Sequence, residues 1–133
     1  MQTLKESFEK YGWDGKWYLQ ATTDGFEKIG SNENEEGKIF LNPQLWSLIS
    51  SIGDSQRAVT AMENVTEYLL RDYGALLLAP AYTAPRTDIG YITRYAPGLR
   101  ENGGVYTHAA TWAVWAYSLL KEGNLAYEAY KRI

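Results

Sequence analysis

The densest set of chemistry-bearing side chains in this sequence is the run Arg100-Glu101-Asn102-Gly103-Gly104-Val105-Tyr106-Thr107-His108, which ends in the only histidine of the chain. It packs two opposite charges, an amide, a glycine pair, an aromatic ring and an imidazole into one short stretch. Neither a helix nor a strand gains from that mixture, so the run reads as a loop that aims its polar groups outward. Gly103 and Gly104 let the backbone take unusual dihedrals or approach another group closely. An apolar helical pattern follows at once, which puts His108 near a helix N-terminus. Free backbone N–H groups and the positive end of the helix dipole converge there, and together they suit an anion. A buried turn with a hydrogen-bonded core histidine is the other reading of the same pattern.

Composition narrows the setting for that loop. With 133 residues, 45% hydrophobic and 14% aromatic, the chain fits a single unit with a real core. It has no run of apolar residues long enough to span a membrane, and its first residues lack the apolar stretch of a signal peptide. The absence of cysteine removes disulfide and thiolate chemistry and is compatible with the cytoplasm. A net charge of −3 without a Lys/Arg cluster argues against nucleic acid as a partner. Five Trp and eleven Tyr are unusual in so short a chain. They read either as aromatic-rich packing or as a sugar site, where flat ring faces meet the CH-rich faces of pyranoses.

The elements that must position these groups can be traced along the chain. Thr3–Tyr11 reads as a short helix with a Thr3/Glu6 capping box and an apolar face of Leu4, Phe8 and Tyr11. After Gly12, Asp14-Gly15 signals a turn, Trp17–Thr22 a strand and Phe26–Ile29 its hairpin partner. Ser31–Gly37 is polar loop. Asn42 as N-cap with Pro43 at the first helical position starts a second helix that stops near Gly53. Asp54 or Ser55 caps a third, with Ala58, Met62, Val65 and Leu69 on one face, which runs to Gly74. Pro80–Pro85 is loop and Tyr91–Tyr95 a short extended piece. Thr107–Lys121 is apolar nearly all round, with His108, Trp112, Trp115 and Leu119 on one stripe, and is predicted to be buried between neighbours. Gly123 ends it, and Asn124 caps a last helix. Helices joined by long loops predict a mainly α fold with a small β-hairpin near the N-terminus. Loops of that length suggest that they do the work.

Three segments carry a family resemblance when taken in order. They are Gly12-Trp13-Asp14-Gly15-Lys16-Trp17-Tyr18-Leu19, then Asn34-Glu35-Glu36-Gly37-Lys38-Ile39-Phe40-Leu41-Asn42-Pro43-Gln44-Leu45-Trp46, then Pro97-Gly98-Leu99 running through His108 to Trp112. The chain resembles the inverting glycoside phosphorylases of the cellobiose and chitobiose phosphorylase family (glycoside hydrolase family 94) over nearly its whole length. It is also similar to the C-terminal part of cyclic β-1,2-glucan synthases. The resemblance implies a central slice of an (α/α)6 barrel, a ring of helical hairpins with the site at one end. It implies attack of inorganic phosphate on a β-glucosidic bond to give a sugar 1-phosphate, with one carboxylic acid protonating the leaving oxygen.

Residue by residue, the resemblance assigns His108 to phosphate. Arg100 stands where the family often has a lysine near the acceptor sugar, with the charge kept and the geometry changed. Glu101 is a candidate hydroxyl-binding carboxylate, with an ion pair or a loop-bracing bond as its other reading. The family's general acid lies before the Trp-Asp-Gly motif, its Thr-Gly phosphate contact lies after the region covered here, and a further phosphate-contacting arginine lies upstream. No catalytic residue is therefore assigned in these 133 residues, and whether the chain is an enzyme by itself stays open. Asp14 is read as bracing its turn rather than as an acid.

The expected ligands are a β-linked gluco-oligosaccharide or disaccharide and phosphate, with no cofactor. Asn32–Gly37 has oxygen ligands for Ca²⁺ but lacks the spacing of a calcium loop, so no metal is expected and a loop rimming the sugar site is preferred. Trp13, Trp17 and Trp112 read as core before sugar platforms. Uncovered helix faces predict a homo-oligomer or association with the rest of a barrel. A non-catalytic carbohydrate- or phosphate-binding fragment or subunit that needs a partner is the alternative function.

Overall fold

The Asp54 carboxylate accepts the N–H groups of Gln56 and Arg57, and a helix follows from it as the sequence predicts. The computed structural model, which describes residues 2–133, orders the chain as α1 (Gln2–Tyr11), β1 (Ala21–Thr22), β2 (Lys28–Ile29), β3 (Ile39–Phe40), α2 (Leu41–Ile49), α3 (Ser55–Tyr68), β4 (Leu70–Arg71), β5 (Gly74–Ala75), β6 (Leu78–Ala79), a 3-10 turn (Tyr91–Arg94), α4 (Thr107–Leu119) and α5 (Gly123–Lys131). The fold is mainly α. Its strands are two-residue pairs: β1 with β2, β3 with β6, and β4 with β5, all antiparallel. The hairpin near the N-terminus is the β1–β2 pair, with Ala21 opposite Ile29.

The main core gathers Trp17, Tyr18, Leu41, Leu45, Met62, Val65, Leu69 and the alanines of α4, with α4 packed against α2 and α5. Ala58, Met62, Val65 and Leu69 are buried as their spacing requires. A second, smaller core of Phe40, Leu78 and Tyr82 lies beneath the loops. Because the strands are so short, buried side-chain amides take over ladder work. The Gln44 amide accepts the Tyr18 N–H at 2.8 Å and donates to the carbonyls of Tyr18 and Phe40.

Several boundaries differ from the sequence pattern. Thr3 lies inside α1 instead of capping it, and Leu4 and Tyr11 on its apolar face are exposed. The strand expected over Trp17–Thr22 shortens to Ala21–Thr22, because Trp17, Tyr18 and Leu19 are buried against helices. Helix α2 begins at Leu41 with Phe40 as N-cap, so Asn42 and Pro43 lie within its first turn. Proline is tolerated there because first-turn N–H groups have no helical partner. Helix α3 stops at Tyr68, and the β4–β5 hairpin takes over the stretch up to Gly74 that the sequence pattern assigns to the helix. Tyr91–Arg94 is a 3-10 turn instead of an extended piece. Asn124 sits inside α5, whose N-cap is Glu122.

The burial of α4 is the largest departure. Its inner face is Ala109, Ala110, Ala113, Ala116 and Tyr117. The aromatic stripe points the other way: Trp115 and Leu119 are each 49% exposed, and Trp46 of α2 beside them is 40% exposed. Small side chains let helix axes approach closely, so the alanine face packs and the bulky face is left outside.

Candidate functional site

The loop between the 3-10 turn and α4 is built from the inside. Asn102 is fully buried, and its side chain clamps three backbone groups. It accepts the Tyr82 N–H at 2.8 Å and donates to the carbonyls of Tyr82 at 2.9 Å and Tyr95 at 2.8 Å. Gly98 and Leu99 fold back on the same residue, Gly98 donating to the Asn102 carbonyl and the Asn102 N–H to that of Leu99. The two glycines divide the expected roles. Gly103 takes a left-handed φ of 82°. Gly104 supplies the close approach, since a Cβ there would lie 2.3 Å from the Arg100 carbonyl oxygen that its own N–H bonds. The Gly104 carbonyl in turn accepts from Leu77, which ties the loop to the segment between β5 and β6.

On this frame Arg100 and Glu101 stand side by side. The Arg100 guanidinium is exposed, lies over the Tyr95 ring at 4.9 Å and holds its Nε 3.7 Å from Glu101 Oε2. Glu101 Oε1 accepts the Tyr106 hydroxyl at 3.1 Å, while Oε2 is buried without a hydrogen-bond donor among the described residues. Glu101 borders a cleft of about 190 Å³ together with Gln20, Phe40, Asn42, Leu77 and Ile92.

His108 is exposed in the first turn of α4, so the reading of a buried core histidine is set aside. Its imidazole stands between the rings of Tyr106, at 5.6 Å, and Trp112, at 5.2 Å. No side chain caps α4, which leaves the N–H groups of its first turn open beside the imidazole. Tyr106 therefore joins the two halves of the loop, touching Glu101 with its hydroxyl and flanking His108 with its ring. Neither Tyr106 nor Asn102 was singled out from the sequence. The one signal that could have found them is their place inside the polar run.

The remaining candidates lie elsewhere. Asp14 braces its turn, with Oδ1 accepting the N–H groups of Lys16 and Trp17 and Oδ2 that of Asn32 at 2.6 Å. Trp17 is core, its indole N–H donating to the carbonyls of Gly30 and Lys38. Trp13 is half-buried against Tyr18 and beneath Arg57, and Trp112 is half-buried against Trp46. Oxygens of the Asn32–Gly37 loop are drawn into local bonds: Asn34 accepts from Ser31 and Glu36 from Thr83. Among the described residues no group of three His, Asp or Glu is placed to hold a metal ion.

A family model described as "Glycosyl hydrolase 94 superfamily, catalytic domain" matches residues 1–133. Solabiose phosphorylase from Paenibacillus borealis is 39% identical over 98% of this chain, and N,N'-diacetylchitobiose phosphorylase from Vibrio furnissii is 38% identical over 96%. Cyclic beta-(1,2)-glucan synthase NdvB from Rhizobium meliloti is 37% identical over 100% of it. The chain spans 17%, 16% and 5% of the lengths of these three proteins.

Proposed function

This chain belongs to the glycosyl hydrolase 94 superfamily, matching its catalytic domain, and we propose from that membership that it forms part of a glycoside phosphorylase. The reaction would cleave a β-glucosidic bond with inorganic phosphate and release a sugar 1-phosphate, with phosphate as co-substrate and no cofactor. The observation that carries this reading is the uncapped start of α4, where His108 and open N–H groups stand one tyrosine away from the Glu101 carboxylate. In this reading phosphate rests on His108 and the helix end, while Arg100 and Glu101 hold the acceptor sugar. A β-linked disaccharide or gluco-oligosaccharide is the substrate class, supported by the phosphorylases it resembles. The cysteine-free composition fits the cytoplasm.

The test is a phosphate titration of the ¹⁵N-labelled chain. Phosphate is expected to shift the His108 imidazole and the first-turn amides of α4, and His108→Ala to weaken that binding at least about tenfold, as expected for the loss of a charge-assisted contact. Equal binding by the alanine variant would remove His108 from the phosphate site. The same chain with phosphate and a panel of β-linked glucose disaccharides is expected to release no sugar 1-phosphate, because the resemblance matches no residue here to the general acid. Release above the His108→Ala background would show that a carboxylate of this chain or of a second copy takes that part.

We also propose that the open aromatic face of α2 and α4 is covered by association, with a second copy or with the rest of a barrel. Trp46, Trp112 and Trp115 form one edge-to-face cluster there. Contiguous apolar surface of that kind drives association. The purified chain is expected to scatter light as an oligomer or to bind a hydrophobic dye, and a monomer that binds no dye would count against the proposal.

A further inference from the structure

We propose that the tip of the β1–β2 hairpin is a docking point for an arginine side chain on an exposed segment of a partner protein, held between the Phe26 ring and the Glu27 carboxylate. The backbone gives the first reason. Phe26 has a φ of 62°, in the left-handed region that a bulky residue rarely enters. The turn around it is fixed. The Phe26 N–H donates to the Thr23 carbonyl at 2.9 Å, the Thr23 N–H to the Glu27 carbonyl at 2.9 Å and the Glu27 N–H to the Thr23 hydroxyl at 3.1 Å. No packing offsets the strain, because Phe26 is 86% exposed. Glycine or asparagine would fit the same turn without it. A large ring held outward against its backbone preference is suited to contact with something outside the chain.

The cleft beside the ring defines the chemistry of that contact. It measures about 420 Å³, lies between the hairpin tip and the Arg86–Ile89 stretch, and shares no lining residue with the Arg100–His108 run. Phe26 and Ile89 give it apolar surface. Its two cations are both paired: Lys28 with Glu33 at 3.5 Å, and Arg86 with Asp88. Arg86 is near enough to feel Glu27, but its Nε and Nη2 both donate to Asp88. Glu27 therefore keeps a carboxylate without an ion pair among the described residues, and so does Asp24 next to the tip. A cation is the complementary ligand. The chain shows twice how it holds one. Arg57 lies over the Trp13 ring at 5.3 Å and bonds the Glu9 carboxylate at 2.8 Å. Arg100 lies over the Tyr95 ring at 4.9 Å with Glu101 3.7 Å away. Phe26 and Glu27 repeat that pairing of ring and carboxylate, and no cation of the described residues lies over Phe26. A planar guanidinium can stack on the ring and fork onto the carboxylate, which an ammonium cannot.

Titration of the ¹⁵N-labelled 133-residue chain with the blocked tripeptide acetyl-Gly-Arg-Gly-amide tests this. The comparison ligands are the same peptide with citrulline, the neutral isostere of arginine, the same peptide with lysine, and spermidine. The arginine peptide is expected to shift the backbone amides of Phe26 and Glu27. The citrulline peptide is expected to bind about tenfold more weakly, since the ring and carboxylate contacts weaken together, and the lysine peptide to fall between the two. Phe26→Leu keeps apolar bulk without the ring, and Glu27→Gln keeps the shape without the charge. Each is expected to weaken arginine binding roughly threefold. Phe26→Asn adds a readout that a structural role would not give. Asparagine tolerates the left-handed turn, so Tm is expected to rise while binding falls. Equal binding of the arginine and citrulline peptides overturns the proposal, and so does an arginine peptide that leaves both amides unmoved. A lower Tm for Phe26→Asn also overturns it, because the ring would then serve the fold. Spermidine that binds more tightly than the arginine peptide would assign the tip to a free amine and overturn the choice of a protein partner.

Discussion

Asn102→Ala is expected to lower folding stability by about 3 kcal/mol, because the buried amide's three bonds are each worth about 1 kcal/mol and their partners lose them in the dry interior. Those partners are the N–H and carbonyl of Tyr82 and the carbonyl of Tyr95, all bonded at 2.8–2.9 Å. For a domain of this size that corresponds to a fall of about 10 °C in Tm. The consequence reaches the site, since Asn102 holds Tyr95 and the Tyr95 ring supports the Arg100 guanidinium. Hydrogen exchange of the Tyr82 amide should accelerate along with the loss of stability. Asn102→Asp sharpens the test. It keeps the acceptor for Tyr82 but turns a second oxygen, carrying charge, toward two carbonyls, so it should be at least as damaging as alanine. An unfolding free energy from denaturant titration for either variant within about 1 kcal/mol of the parent would mean that the amide is not the clamp of this loop.

Gln44→Leu should destabilise the fold by about 2–3 kcal/mol despite its good match in size and its gain in apolar character. The residue is fully buried among Leu41, Leu45 and Tyr18, where a hydrophobic side chain is the naive improvement. Its amide, however, is the hydrogen-bond partner of both the N–H and the carbonyl of Tyr18, and of the Phe40 carbonyl at the start of α2. Leucine strands the N–H and carbonyl of Tyr18 without water, while the Phe40 carbonyl keeps its bond in the first turn of α2, and each unsatisfied buried group costs about 1–3 kcal/mol before relaxation. Backbone shifts will recover part of that, which keeps the expected total at the lower end of the sum. Chemical denaturation followed by tryptophan fluorescence measures the effect, with Trp17 adjoining the affected residue among the five tryptophans that report it. Unchanged or raised stability would show that Tyr18 finds other partners, or that packing outweighs the bonds. These two amides act alike: with strands of only two residues, side chains from afar complete the backbone pairing that ladders supply elsewhere.

Local chemistry was legible where the cause was local. The carboxylate of Asp54 caps α3 because the residues it bonds are two and three positions on. The Asp14-Gly15 turn, the β1–β2 hairpin and the buried stripe of α3 follow from turn chemistry and a 3.6-residue period in the same way. The polar run from Arg100 to His108 could be marked as a loop ahead of a helix because no regular element tolerates that mixture. Its proposed part in a sugar and phosphate site came from resemblance of whole motifs, since residue types alone favoured a core histidine.

Only the tertiary structure decided which face of α4 goes inside. Burying Trp115 and Leu119 would remove more apolar area from water, but close approach of α2 and α5 favours the alanines, so packing size decided which face is inside. The same holds for Asn102 and Gln44, whose partners lie 20 and 26 residues away, and for Tyr106, whose link between Glu101 and His108 needs the loop already folded. The sequence by itself determined the helices, the Asp54 cap of α3 and the residues available for chemistry. Burial and the pairing of distant groups depend on what packs against each element, and the folded chain alone supplies that.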